Sequence, residues 1–331
     1  MMKKIVLSGM RPTGKMHLGH LVGALSNWLK LQQEYQCYFM VADWHALMSE
    51  YKKPNEISSF AIDNVIDWLS CGIDPKSSVI FVQSQVKQHL ELYMVLSCFV
   101  PLGWLERCPT YKEQKSELKA KDISNYAFLG YPVLQAADIL LYKAHCVPVG
   151  EDQLPHLEIC REIARRFKNL YKKDVLVEPE ALLTKVPRLL GVDGRKMSKS
   201  YDNAIALSDP KDLIKKKITN MFTDPKRVKK TDPGHPRQCN VYNYYEVFKP
   251  DMTKEVYRWC TKSELGCTEC KARLAHIIIE EVIVPIQEKR QKFQSNKDLI
   301  MDILKQGKEQ AEQAAEKTMQ EVKEALGNGI L

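Results

Sequence analysis

The sequence predicts an α/β fold, a doubly wound parallel sheet followed by an α-helical domain. Three observations carry that prediction. Short, continuous apolar runs alternate with helical periodicity over residues 1–170. Those runs are apolar on both faces, as in parallel strands covered by helices on either side. Beyond about residue 205 the alternation stops and helical patterns dominate.

The elements follow in order. A first strand is expected near 3–9, where Ile5-Val6-Leu7 runs into Ser8-Gly9 and then Pro12-Thr13-Gly14. Leu21, Ala24, Leu25, Trp28 and Leu29 recur at helical spacing and predict a helix over 18–33. Strands at 36–43 and 78–83 alternate with helices over 55–71 and 87–100. Residues 101–122 are polar and lysine-rich and read as a crossover or lid. A helix over 123–143, a strand at 146–149 and a helix over 152–168 complete a Rossmann-like unit. Ligands in such sheets bind beyond the strand carboxyl ends, where the strand order reverses. Asp209-Pro210 starts a further helix with Leu213, Ile214, Ile218 and Phe222 on one face. Pro225 and Pro233-Gly234-His235-Pro236 mark loops, and the tail over 298–326 interleaves Lys and Glu as a solvated helix does. The domains are therefore drawn as 1–205 and 206–331.

Composition narrows the class. With 331 residues, 27% charged and 44% hydrophobic, the chain has the make-up of a globular protein with one large and one smaller domain. Met1-Met2-Lys3-Lys4 and the short apolar run after it are too brief for a signal peptide. No apolar stretch approaches a membrane span. Ten cysteines without a secretory signal imply a reducing cytoplasm and free thiols. A net charge of +8 permits an anionic partner such as RNA.

Two short motifs carry most of the chemistry: His17-Leu18-Gly19-His20 and Lys196-Met197-Ser198-Lys199-Ser200. The first stands where a strand gives way through a glycine-bearing loop to a helix start, whose free N–H groups favour a phosphate. The second follows Gly191-Val192-Asp193-Gly194 and offers two cations to a polyphosphate whose charge shifts during reaction. Taken singly, the first could be a surface turn and the second a solvated loop. In this order the pair resembles the two signatures of class I aminoacyl-tRNA synthetases. The resemblance implies in-line attack by an amino-acid carboxylate on the α-phosphate of ATP, expelling pyrophosphate without a protein nucleophile.

A further segment bears on the amino acid. Gly130-Tyr131-Pro132-Val133-Leu134-Gln135-Ala136-Ala137-Asp138-Ile139-Leu140-Leu141-Tyr142 sets Asp138 within an apolar helix, where a carboxylate is costly without a donor. An indole N–H, a donor only, would satisfy it; a neighbouring backbone group or lysine would do so equally well. Tyr131, Asp138 and Val147-Pro148-Val149-Gly150-Glu151-Asp152-Gln153 together resemble the bacterial tryptophanyl-tRNA synthetase family over nearly the whole chain.

That resemblance implies a role at each position. Asp138 would bind the indole nitrogen, while Tyr131 and Gln153 hold the amino-acid head. His45 and Gln135 would stand by the indole, with Leu7, Ile139, Val147 and Val149 as apolar walls; a packed core histidine is an equal reading for His45. Arg11, Pro12, Thr13, Gly19, His20, Gly150, Glu151, Asp152 and Leu189 would line ATP, with His17 at the same helix start. Lys196 and Lys199, together with Met197, Ser198 and Ser200, would grip the phosphates of Mg2+-ATP, with Lys115 as a further cation. Partners implied are L-tryptophan, ATP, tRNA(Trp) and a second copy in a homodimer, and the tail helix could touch tRNA. Three positions depart from many relatives: Arg11 replaces Gln, Leu7 an aromatic and Gln135 a Met. Tyrosyl-tRNA synthetases also use a helix Asp, against a phenol, and form the alternative. A non-tRNA adenylyltransferase and a catalytically silent RNA-binding paralogue complete the alternatives.

The cysteines divide into two sets. Cys37, Cys71, Cys98, Cys108, Cys146 and Cys160 stand singly among apolar residues and are expected in or near the core. Cys239, Cys260, Cys267 and Cys270 group together, with one Cys-x-x-Cys hook. Four thiolates suit Zn2+ or an iron–sulfur cluster. The spacing resembles a subset of the same family that carries a [4Fe-4S] cluster in the helical domain.

Overall fold

The computed structural model describes residues 3–108, 125–183, 189–195, 197 and 201–327. Five strands form one parallel sheet: β1 (Ile5–Met10), β2 (Gln36–Val41), β3 (Ser78–Val82), β4 (Cys146–Val149) and β5 (Glu180–Leu183), in the order β3-β2-β1-β4-β5. The order reverses between β1 and β4, so the crevice expected from the sequence opens beyond those two carboxyl ends. The strand β5 was not foreseen, because its Glu-Ala-Leu-Leu has no β-branched residue and none of its residues is buried at the sheet edge.

Alternation along each strand divides the core in two. Val6, Phe39, Val41, Ile80 and Val82 face one layer, and Leu7, Tyr38, Met40, Val79 and Phe81 the other. The first layer holds Trp28, stacked on Phe39 with ring centroids 4.3 Å apart. Trp68 meets Trp28 edge-on at 5.0 Å. That layer continues without a break into Ile214, Tyr244 and Ile278, beyond residue 205.

The helices of the first half are α1 (Leu18–His20), α2 (Ser26–Glu34), α3 (Asp43–Glu50), α4 (Pro54–Cys71), α5 (Gln88–Ser97), α6 (Leu102–Glu106), α7 (Tyr126–Leu141) and α8 (Leu154–Tyr171). A π-helical segment, Leu21–Leu25, joins α1 to α2 inside the single helix expected over 18–33. Asp43 opens α3 rather than closing a strand, and α3 itself was not foreseen. Of the expected lid, 102–106 is helical, while 109–122 lies outside the described residues.

The second half contains α9 (Lys211–Thr219), α10 (Asn240–Phe248), α11 (Thr253–Thr261), α12 (Cys267–Ile277), α13 (Val284–Gln294) and α14 (Lys297–Ala325). Ile214 and Ile218 of α9 are buried as expected, but Leu213 and Phe222 are exposed. A helix buries only the narrow stripe that meets its partner, and Phe222 falls past the end of α9.

The tail is not a solvated helix. Its Ala311, Ala315, Met319 and Val322 are buried in the second core layer, and α14 lies along β3, the edge strand. A Cβ at Gly307 would come within 1.8 Å of the Ile80 carbonyl oxygen, so only glycine allows this approach. The helix thereby covers an edge that would otherwise stand open. Small alanines hid its buried stripe from hydropathy. Among the described residues no helix is long and apolar enough to cross a membrane.

Candidate active site

The His17 signature lies just past β1. Its two rings, His17 and His20, lie close with centroids 3.7 Å apart and planes tilted by 33°, and the His17 N–H donates to His20 Nδ1 at 3.1 Å. A second strand of chain supports it from behind. Leu18 N–H donates to Ile205 O at 3.0 Å and Leu207 N–H to Met16 O at 2.9 Å, with His17 bridged to Ala206. Met197 reaches the same place: a Cβ on Gly19 would lie 3.2 Å from its Sδ. The two signatures therefore meet at Gly19. Lys196, Ser198, Lys199, Ser200 and Lys115 lie outside the described residues.

The segment that leads into the lysine motif is braced. Gly191 N–H donates to Arg195 O at 2.7 Å, and Asp193 holds both Arg195 and Asn203. From α10, Asn240 donates to Gly191 O and Tyr244 to Leu190 O, each at 2.7 Å. Leu189 is buried beside them. Across the switch point, β4 delivers Gly150 to a 3-10 turn, Glu151–Gln153, whose three side chains are exposed. Arg11 is exposed, Thr13 half-buried and Pro12 buried on the loop after β1.

A second cluster, past the carboxyl ends of β2 and β3, is built around Asp138, which is 2% exposed. Its Oδ1 accepts from His89 Nδ1 and from Gln83 Nε2, both at 2.7 Å, and its Oδ2 accepts from His45 Nε2 at 2.8 Å. Burial pushes this carboxyl upward, but the hydrogen bonds from His45 and His89 outweigh it and hold Asp138 below its ordinary value. The group is an ionised acceptor in an apolar setting. Leu7, Ile139, Val147 and Val149, the expected walls, share its core layer with Tyr38, Phe81 and Tyr142.

Tyr131 lies two helical turns before Asp138 on α7. Its hydroxyl meets His156 Nε2 in a short hydrogen bond. Burial lowers the His156 pKa to about 4, so the ring is neutral near pH 7 and accepts from the Tyr131 hydroxyl. Gln135 is half-buried, one turn from Asp138.

Sequence reasoning placed Asp138, His45 and Tyr131 in one neighbourhood, and the structure brings them together. It missed Gln83, His89 and His156. His89 did leave a signal, since His89, Leu92 and Leu96 share the buried face of α5, with buried Val86 just before it. A polar residue in an apolar stripe needs a partner. The identity of that partner was not readable, because α7 is some 40 residues further along the chain.

The four grouped cysteines also converge. Cys239, Cys260, Cys267 and Cys270 line one cavity with Arg227, Trp259 and Leu265. Among the described residues no group of three or more His, Cys, Asp or Glu is disposed to hold a single metal ion. Of the six isolated cysteines, Cys37, Cys108, Cys146 and Cys160 are buried and Cys71 half-buried. Cys98 is exposed, contrary to expectation, because it follows Leu90 and Met94 on the outer face of α5.

Comparison with known proteins agrees with this geometry. The family model for class I tRNA synthetases (W and Y) matches residues 2–282. A tryptophan–tRNA ligase of Thermotoga maritima is 50% identical over 326 residues, covering 97% of this chain and 98% of that protein. One from Clostridium longisporum is 44% identical, covering 99% and 98%. A crystal structure of tryptophanyl-tRNA synthetase from Campylobacter jejuni, complexed with ADP and tryptophan, superposes with a TM-score of 0.88 at 33% identity, covering 98% of this chain and 99% of that one. The chain belongs to the class I tRNA synthetases of the tryptophan and tyrosine group, in its tryptophan–tRNA ligase branch.

Proposed function

We propose that the two ends of the crevice divide the work of tryptophan activation and transfer to tRNA(Trp). The observation that carries this reading is Asp138, an ionised and nearly inaccessible acceptor at the end of an apolar slot. An indole N–H is the donor it suits, and Tyr131 and Gln153 then hold the amino-acid head. The tryptophan carboxylate attacks the α-phosphorus of ATP, the bond to the β-phosphate oxygen breaks, and pyrophosphate leaves. Thr13, Gly19, His20, Gly150, Asp152 and Leu189 position the nucleotide; Lys196 and Lys199, with Lys115, neutralise charge on the leaving phosphates. Mg2+ enters with ATP as part of the substrate. A terminal ribose hydroxyl of tRNA then attacks the activated carbonyl and releases AMP. ATP–pyrophosphate exchange across the twenty amino acids tests this: tryptophan should drive exchange, and equal exchange with tyrosine would overturn the assignment.

The region after residue 205 serves tRNA binding in this reading. Its four cysteines suit a [4Fe-4S] cluster, since the donors are all thiols and line one cavity. Arg227 Nη1, 3.9 Å from Cys267 Sγ, would offset the negative charge of such a centre, which would supply a structural clasp for the segment. Protein purified without oxygen should be brown, with about four iron and four sulfide per chain. One tightly bound zinc would replace the cluster reading, and no metal would leave four ordinary thiols. A homodimer completes the proposal. Exposed Leu90 and Met94 on α5 and Tyr126 at the start of α7 offer the apolar surface for it, and sedimentation at micromolar concentration checks it.

A further inference from the structure

Asp138 receives three hydrogen bonds, and their distribution between its two oxygens is uneven. Oδ1 takes both His89 and Gln83, while Oδ2 takes His45 alone. A carboxylate has about four acceptor sites, so Oδ1 is filled and one site on Oδ2 is left. Each of the two donors on Oδ1 is fixed from behind. Trp44 N–H donates to Gln83 Oε1 at 3.2 Å, which turns the Gln83 amide nitrogen toward Asp138. His89 Nε2 faces the Tyr142 hydroxyl at 2.8 Å, and Tyr142 is stacked on Tyr38 with centroids 4.8 Å apart. Since Asp138 can only accept, His89 carries its proton on Nδ1 and accepts from Tyr142. Gln83 and His89 are both completely buried.

We propose that His89 and Gln83 are positioning residues that set amino-acid specificity, by saturating Oδ1 of Asp138 and leaving one acceptor site on Oδ2 for a donor-only ring N–H. This rests on the tryptophan reading of the pocket and deepens it. A phenol would donate to the same site, but its oxygen would also need a donor, and the N–H groups of His45, His89 and Gln83 that reach Asp138 are committed to it. An indole brings no such acceptor. The pocket therefore distinguishes the two by lone-pair count as well as by shape.

The test compares tryptophan with its benzothienyl isostere, which carries sulfur in place of the N–H, in ATP–pyrophosphate exchange. In the unaltered protein tryptophan should be preferred; if it is not a substrate at all, the functional reading fails rather than this one. His89→Leu should raise the KM for tryptophan by roughly tenfold to a hundredfold. It should change kcat and the KM for ATP little, and shift the KM for the isostere less than about threefold. His89→Asn, which keeps a donor near the Nδ1 position, should recover most of the loss. Gln83→Leu should shift the same ratio, and serves if His89→Leu fails to fold. Equal losses for tryptophan and isostere would reduce both residues to packing and overturn the proposal, as would unchanged discrimination.

Discussion

At the end of the crevice proposed for the nucleotide the groups in question stand on short segments close to a strand end, and several are exposed: Arg11, Glu151 and Asp152. At the end proposed for the amino acid, side chains from β3's carboxyl end, α3, α5 and α7 surround one carboxylate with almost no access to solvent. In the proposed reading the first end binds a ligand that brings its own charge, so cations and backbone N–H groups suffice. The second, in the same reading, recognises a largely apolar ring by one N–H, so its acceptor is fixed before the ligand arrives. Chemistry should therefore be lost at one end without loss of fold, and fold and recognition should fail together at the other.

The largest effect expected is on the rate. Lys196→Ala or Lys199→Ala removes a cation from a transition state rich in phosphate charge and should slow tryptophan activation by about 10²–10³-fold, with the thermal midpoint little changed. A double substitution that activates tryptophan normally would remove the contrast between the two ends. Asp138→Ala should act on both properties at once. Three donors, two of them completely buried, lose their acceptor, so about 3 kcal/mol of stability should go with tryptophan recognition, read by urea unfolding beside the KM values. A selective loss of ATP affinity would place Asp138 at the wrong end.

A smaller effect is expected from behind the site. Gly307→Ala forces a methyl toward the Ile80 carbonyl and should cost about 3 kcal/mol, with faster hydrogen exchange in α14 and β3. Because β3 leads directly to Gln83, tryptophan KM should rise more than ATP KM. Exchange unchanged in β3 would uncouple the tail from the amino-acid end.

The smallest effect is one of pH. His156 is buried neutral with a pKa of about 4, while in the unfolded chain it titrates near 6.5. Below that value the unfolded state binds more protons, so stability present at pH 7 is lost as pH falls. The loss should be about 2 kcal/mol between pH 7 and pH 5. His156→Gln should flatten that part of the urea-unfolding profile; an identical slope would place the acid sensitivity elsewhere.

Local pattern by itself determined the parallel sheet, four of its strands and the two signatures, because each depends on residues within a few positions of one another. Apolar runs and helical spacing are consequences of burial on one or two faces, and they are written into neighbouring residues. Asp138 was also legible, as a charge inside an apolar helix. Two of its three partners were not. His89 and Gln83 are separated from it by 49 and 55 positions, and only packing of α5 and β3 against α7 brings them within 2.7 Å. The tail shows the same limit from the other side: its alanines carry too little hydropathy to announce a buried face. Gly307 acquires its meaning only when the edge of β3 lies against it. Tertiary structure decided these points because a hydrogen bond or a van der Waals contact depends on distance in space, to which distance along the chain is no guide.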